Sequence, residues 1–152
     1  MALDKRAQGS LLIVKILNIA FLGTILIYMI ALAFLTSGNS QYESFDGFIM
    51  AIITVILAVI SIALIPFGNF IVRLAIRESR NPGILLVVYI FRMSLFESVA
   101  IYGLILGMMN DKWVAWAFAL PFFIAASVLL ILTFPTEEKW ERMLQQRGAS
   151  QP

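Results

Sequence analysis

One carboxylate, Glu97, stands inside the apolar stretch Met93-Ser-Leu-Phe-Glu-Ser-Val-Ala-Ile-Tyr-Gly-Leu-Ile-Leu-Gly107. An acid in such surroundings is a group that takes up and releases a proton, or holds a hard cation through oxygen. Placing a charge there costs ~2.5–3.5 kcal/mol even on insertion-based scales, so it marks a functional site or half of a buried pair. At ~1.5 Å per residue, Glu97 lies about 21 Å from Gly83 and about 18 Å from Met109, the two ends of the run, and so near its middle. Hydroxyls stand close in sequence. Ser98 follows directly, Tyr102 is five on, and Ser94 is three before on the same helical face. Glu97, Ser98, Tyr102 and Ser94 form the candidate ion-binding set. The preceding apolar segment, residues 47–67, adds only Thr54 and Ser61, with no Gln or Glu. Proton binding, which needs fewer ligands than a Na⁺ shell, is the favoured chemistry.

Arg92 shares the segment. It lies about 7.5 Å nearer the Gly83 end and about 140° around the helix from Glu97, so the two do not stack on one face. Two readings stay open. In one, Arg92 and Glu97 neutralise each other within the bundle or across a subunit interface, as a buried assembly pair. In the other, Glu97 faces a partner and loads and unloads a proton. Other chemistry has little to draw on. The chain has no Cys and no His, which excludes disulfides, thiolate or imidazole metal sites and the usual haem ligands. With no nucleophile–base pair, metal cluster or phosphate loop, no enzyme and no cofactor is expected.

The elements that must position these residues are membrane helices. Hydrophobic residues make up 61% of the 152 and charged ones 13%, against about 25% charged in soluble domains, and the mean hydropathy is +0.94. A net charge of +2 gives no reason to expect nucleic acid. The pattern predicts an all-α, four-helix transmembrane bundle in one domain, residues 1–134, with helices at about 11–35, 47–68, 83–109 and 113–134. The first run, ~25 residues, is too long for the apolar core of a signal peptide and right for a span. Lys15 near its start is expected to snorkel to the headgroups, with Asn18 beside it. Residues 36–46 read as a polar loop, Asn81-Pro82-Gly83 and Asn110-Asp111-Lys112 as turns. Pro66 is expected to kink the second helix and a basic extension to follow it. Trp113 and Trp116 suit an interfacial aromatic belt.

Residues 135–152 predict a short amphipathic tail helix, frayed after Gly148. Thr136 is its expected N-cap, and Glu137 and Glu138 favour its positive end. Trp140, Met143 and Leu144 fall on one face, which suits a helix lying in the membrane surface. Lys and Arg cluster on one side of the spans, at Lys5, Arg6, Lys15, Arg73, Arg77, Arg80, Lys139, Arg142 and Arg147, with Lys112 alone on the other. That bias places both termini in the cytoplasm of a bacterial-type inner membrane. Ala100, Gly103 and Gly107 give the third helix a small face for close helix contact, and Ala115 and Ala119 offer the same on the fourth.

Glu97-Ser98-Val-Ala-Ile-Tyr102-Gly103-Leu104-Ile105, preceded by Arg80-Asn81-Pro82 in a loop on the basic side, resembles the hairpin of the rotary ATP synthase proteolipid, subunit c. The resemblance covers residues 47–109, with motif similarity over about 81–107. It implies that Glu97 carries H⁺, that Ser98 and Tyr102 support it by hydrogen bonds, and that the chain works as a homo-oligomer or with other membrane subunits. The bulky second helix, Arg92 and the two flanking helices depart from that family. The competing class is a non-catalytic structural or accessory subunit.

Overall fold

The computed structural model describes residues 5–37, 46–78, 82–110 and 112–148. The polar loop around Glu43, the Asn81 turn, Asp111 and the end of the tail lie outside them, as do the side chains of Met143 and Leu144. The order is α1 (Lys5–Ser37), α2 (Gly47–Glu78), α3 (Pro82–Met108), α4 (Lys112–Leu132) and α5 (Glu137–Gly148). The first four are each long and apolar enough to cross a membrane. The protein is an all-α, four-helix membrane bundle with a short amphipathic fifth helix.

Helix ends follow local chemistry. Asp46 caps α2, its Oδ1 accepting the Phe48 N–H at 3.1 Å. Pro82 opens α3, where a missing N–H costs nothing. Asn110 closes α3, its Nδ2 donating to the Leu106 carbonyl at 2.8 Å. Thr136 is the N-cap of α5, its hydroxyl accepting from the Lys139 N–H at 3.3 Å. α2 runs through Pro66 to Glu78, so the span expected at 47–68 and the basic extension after it form one helix. The proline removes one backbone bond, but Gly68 and Val72 beyond it still bury against the bundle, and that packing carries the helix on. α1 begins at Lys5 rather than near residue 11.

α3 is the axis. It packs against α1, α2 and α4, and α1 also packs against α4. α1, α3 and α4 therefore form a three-helix core. α2 sits outside it on α3 and touches α5 at one end. The α1 face is set by Val14, Asn18, Ile25 and Leu32, at helical spacing. On α4 the buried set is Ala115, Ala119, Phe122, Phe123, Ala126 and Leu130. α2 buries little beyond Met50, Ser61, Gly68 and Val72, and exposes large apolar side chains from Phe48 to Leu74. In water such a surface would drive association; in lipid it is ordinary.

The small face of α3 is spent inside the chain. A Cβ on Gly103 would stand 2.8 Å from both the Ala119 carbonyl oxygen and Phe122 Cβ, and one on Gly107 would stand 2.8 Å from the Leu32 methyls. Ala100, Ala115 and Ala119 are fully buried in the same seam. This close approach gives the dispersion contacts that hold helices together where no hydrophobic force acts between them. Gly103→Ala is expected to destabilise by about 1–3 kcal/mol, because the atoms in its way are backbone and Cβ and cannot turn aside. Gly23→Ala, with nothing within 4 Å, is the matched control and is expected to leave the midpoint unchanged or raise it. Thermal unfolding in detergent measures both.

Candidate functional site

Glu97 lies half-buried on α3, near the midpoint of the candidate span Gly83–Met108. Its partner comes from α1. The Tyr28 hydroxyl donates to Glu97 Oε1 at 3.1 Å. The expected hydroxyl ring does not close on the carboxylate. Ser98 Oγ donates to the Leu95 carbonyl at 2.7 Å, and Ser94 Oγ to the Ile90 carbonyl at 3.2 Å. Each bonds back to its own helix, the habit of Ser in apolar helices. Ser94 is exposed and Tyr102 is half-buried against the core. The structure thus joins one of the four expected residues, Glu97, to a residue the sequence did not single out. The available signal was a phenol in a first span whose other polar side chains are Lys15, Asn18 and Thr24, but nothing in sequence spacing links it to position 97.

Arg92 and Glu97 do not meet within the chain; among the described residues the ion pairs are Lys15–Glu137 and Arg142–Glu138. Five residues of helix set them on different faces, as their spacing requires. Arg92 turns toward α2. Its Cγ would lie 3.3 Å from a Cβ built on Gly68, so the missing side chain there makes room for the arginine stem. The guanidinium carbon lies 5.4 Å from the Phe96 ring centre and 5.7 Å from that of Tyr89. These are residues four after and three before it, the spacing that brings side chains together on a helix. Aromatic faces attract a cation, but they leave its in-plane N–H groups unfilled. Arg92 Nε is fully shielded and has no acceptor among the described residues.

No family model, curated protein or solved structure matches the chain. The residues must therefore speak for the site.

Two further polar anchors lie toward the α5 end. Asn18 is 0% exposed; its Nδ2 donates to the Leu130 carbonyl at 3.3 Å and to Met93 Sδ at 3.4 Å, tying α1 to both α4 and α3. Lys15, expected to reach for headgroups, pairs instead with Glu137 in the first turn of α5 at 3.4 Å. α5 also packs inward. Trp140 is 1% exposed and meets the Tyr89 ring edge-on, with centres 5.8 Å apart. Tyr89 in turn donates its hydroxyl to the Thr133 carbonyl at 2.9 Å. Between Asn18 and the Tyr28–Glu97 pair, α1 buries Ile25 and half-buries Phe21 and Leu22, so apolar side chains separate the two polar regions.

The Tyr28–Glu97 bond is measurable. Tyr28→Phe removes its donor without changing the ring, and is expected to cost about 0.6–1.7 kcal/mol, from the measured average to the measured maximum for hydrogen bonds between membrane helices. Ser94→Ala and Ser98→Ala remove only bonds back to the same helix and are expected to change stability little. Reversible unfolding in mixed micelles compares the three. A loss in the serine variants as large as in Tyr28→Phe would restore the hydroxyl ring read from the sequence.

Proposed function

We propose that this chain is a non-catalytic subunit of a membrane assembly in which Glu97 binds a proton near the middle of the bilayer. The observation that carries the reading is the pairing of Glu97 with a neutral donor, Tyr28, at 3.1 Å, while Arg92, the nearest cation along α3, turns to another helix. A carboxylate in apolar surroundings needs a counter-charge or a proton. Since Arg92 does not supply the first within one chain, a proton is the simplest occupant. The resemblance of residues 81–107 to the proteolipid hairpin points the same way. The Lys and Arg bias orients both termini and the α2–α3 connection toward the cytoplasm, in a bacterial-type inner membrane.

The part-exposed position of Glu97 supports assembly. Ser94, Ile101 and Ile105 on the adjoining face of α3 are exposed, so the open side of the carboxylate borders either lipid or another subunit. The second reading, an accessory subunit held by an ion pair, requires Arg92 of one subunit to reach Glu97 of another.

Hydrophobic carbodiimide, which reacts with protonated carboxyls, separates them. In membranes held at several pH values, adduct on Glu97 is expected to decline as pH rises, and Glu97→Gln is expected to remain folded and unlabelled. Absence of adduct at every pH, with loss of the folded protein in Glu97→Gln, would overturn the proton site in favour of a locked ion pair.

A further inference from the structure

Two hydrogen-bond donors beside Tyr89 are shielded and unanswered among the described residues. Arg92 Nε and Trp140 Nε1 are both buried without an acceptor. The Arg92 guanidinium and the Trp140 ring each stand within 6 Å of the Tyr89 ring centre. Neither group can accept; arginine and indole only donate. What is missing is therefore an acceptor, and beside a guanidinium it is an anion. The described carboxylates do not supply it. Glu137 and Glu138 pair with Lys15 and Arg142, and no described acid lies within 4 Å of Arg92.

Depth selects the kind of anion. Tyr89 bonds to Thr133, the residue after the candidate span Trp113–Leu132 ends. Its hydroxyl therefore reaches the α4 edge of the apolar layer, and Arg92 lies about one turn deeper along α3 than Tyr89. Phe70 and Leu74 on α2, near the same end, are exposed. A phospholipid offers both parts at once, a phosphate at the boundary and acyl chains for the apolar surface. A free phosphate ion would have to leave water to reach the same donors. Basic pockets between helices on the cytoplasmic side are where anionic headgroups bind, and guanidinium matches phosphate geometry better than ammonium does.

We propose that the seam between α3 and α5, at Arg92, Tyr89 and Trp140, binds the phosphate of one anionic phospholipid, with its acyl chains lying along α2. This site is separate from Glu97 and does not depend on the proton reading.

The test uses the full chain, delipidated in detergent and titrated with phosphatidylglycerol or with diacylglycerol of the same acyl chains, the bound lipid being counted by native mass spectrometry. The wild type is expected to retain one phosphatidylglycerol about tenfold or more in preference to diacylglycerol, which lacks the phosphate, the scale of one charged hydrogen bond. Arg92→Gln is expected to abolish the preference and Trp140→Phe to weaken it several-fold. Arg73→Gln, an exposed charge in the last turns of α2, is expected to leave it intact. Should Arg92→Gln fail to fold by circular dichroism, Trp140→Phe decides. Equal retention of the two lipids by the wild type, or a preference unchanged in both Arg92→Gln and Trp140→Phe, would overturn the proposal. So would full displacement of the lipid by millimolar inorganic phosphate, which would assign the donors to a free anion.

Discussion

A polar group inside an apolar layer has no water to fall back on, so every donor, acceptor and charge must be answered by the protein or by something bound to it. In this chain the demand concentrates on α3, which carries Glu97 and Arg92 on different faces. Because the two cannot neutralise each other along one helix, each recruits its own neighbour. α1 brings Tyr28 to the acid. α2 brings Gly68, whose missing side chain lets the arginine stem lie against it. α5 closes the end with Trp140 on Tyr89, one of the two rings beside the guanidinium. The central place of α3 in the bundle is the packing counterpart of that electrostatic load.

The two sides of α3 are held by different means. Toward α4 and α1 the contact is close and made of small residues, Gly103, Gly107, Ala115 and Ala119, so backbones approach and dispersion contacts accumulate. Toward α2 the comparable close approach is at Gly68, and most of that helix presents Ile, Val, Leu and Phe outward. Those side chains suit lipid as well as they suit another subunit. The core is accordingly a three-helix unit, with α2 as an appended span.

Much of the frame was legible because it depends on composition and local chemistry. Long apolar runs define the spans whatever their partners, Thr136 before two acids defines a helix start, and counting residues places Glu97 at mid-span. The rings beside Arg92 were also within reach, since Tyr89 and Phe96 lie at i−3 and i+4. What the chain order hides is contact across helices. Tyr28 and Glu97 are 69 residues apart, and α1 can turn either of several faces to α3 without changing its hydropathy. Serines next to the acid were expected to serve it, but their own helix's carbonyls are closer competitors. Trp140 reads as a membrane-surface residue from its amphipathic setting, and only the fold shows that its ring enters the bundle. Pro66 reads as a kink, and α2 continues through it, with Gly68 and Val72 packed against the bundle beyond the lost backbone bond.

The arrangement has a consequence for how a change at Glu97 would travel. Its link is to α1, through Tyr28, and not to α2, which holds the arginine. α1 is one unbroken helix from Lys5 to Ser37, and its lower part also holds Asn18, bonded to α4, and Lys15, paired with the first turn of α5. A gain or loss of negative charge on Glu97 alters the strength of the Tyr28 bond, since hydrogen bonds to a charged acceptor are roughly twice as strong as neutral ones. Any movement that follows is borne by a stiff rod whose other end grips α5. Arg92 lies about 7.5 Å along α3 and about 140° around it from Glu97, and makes its own contacts with α2 at Gly68 and with the Tyr89 and Phe96 rings. α1 therefore ties the mid-membrane carboxylate, through Tyr28, to the basic end of the bundle, where Asn18 and Lys15 hold α4 and α5.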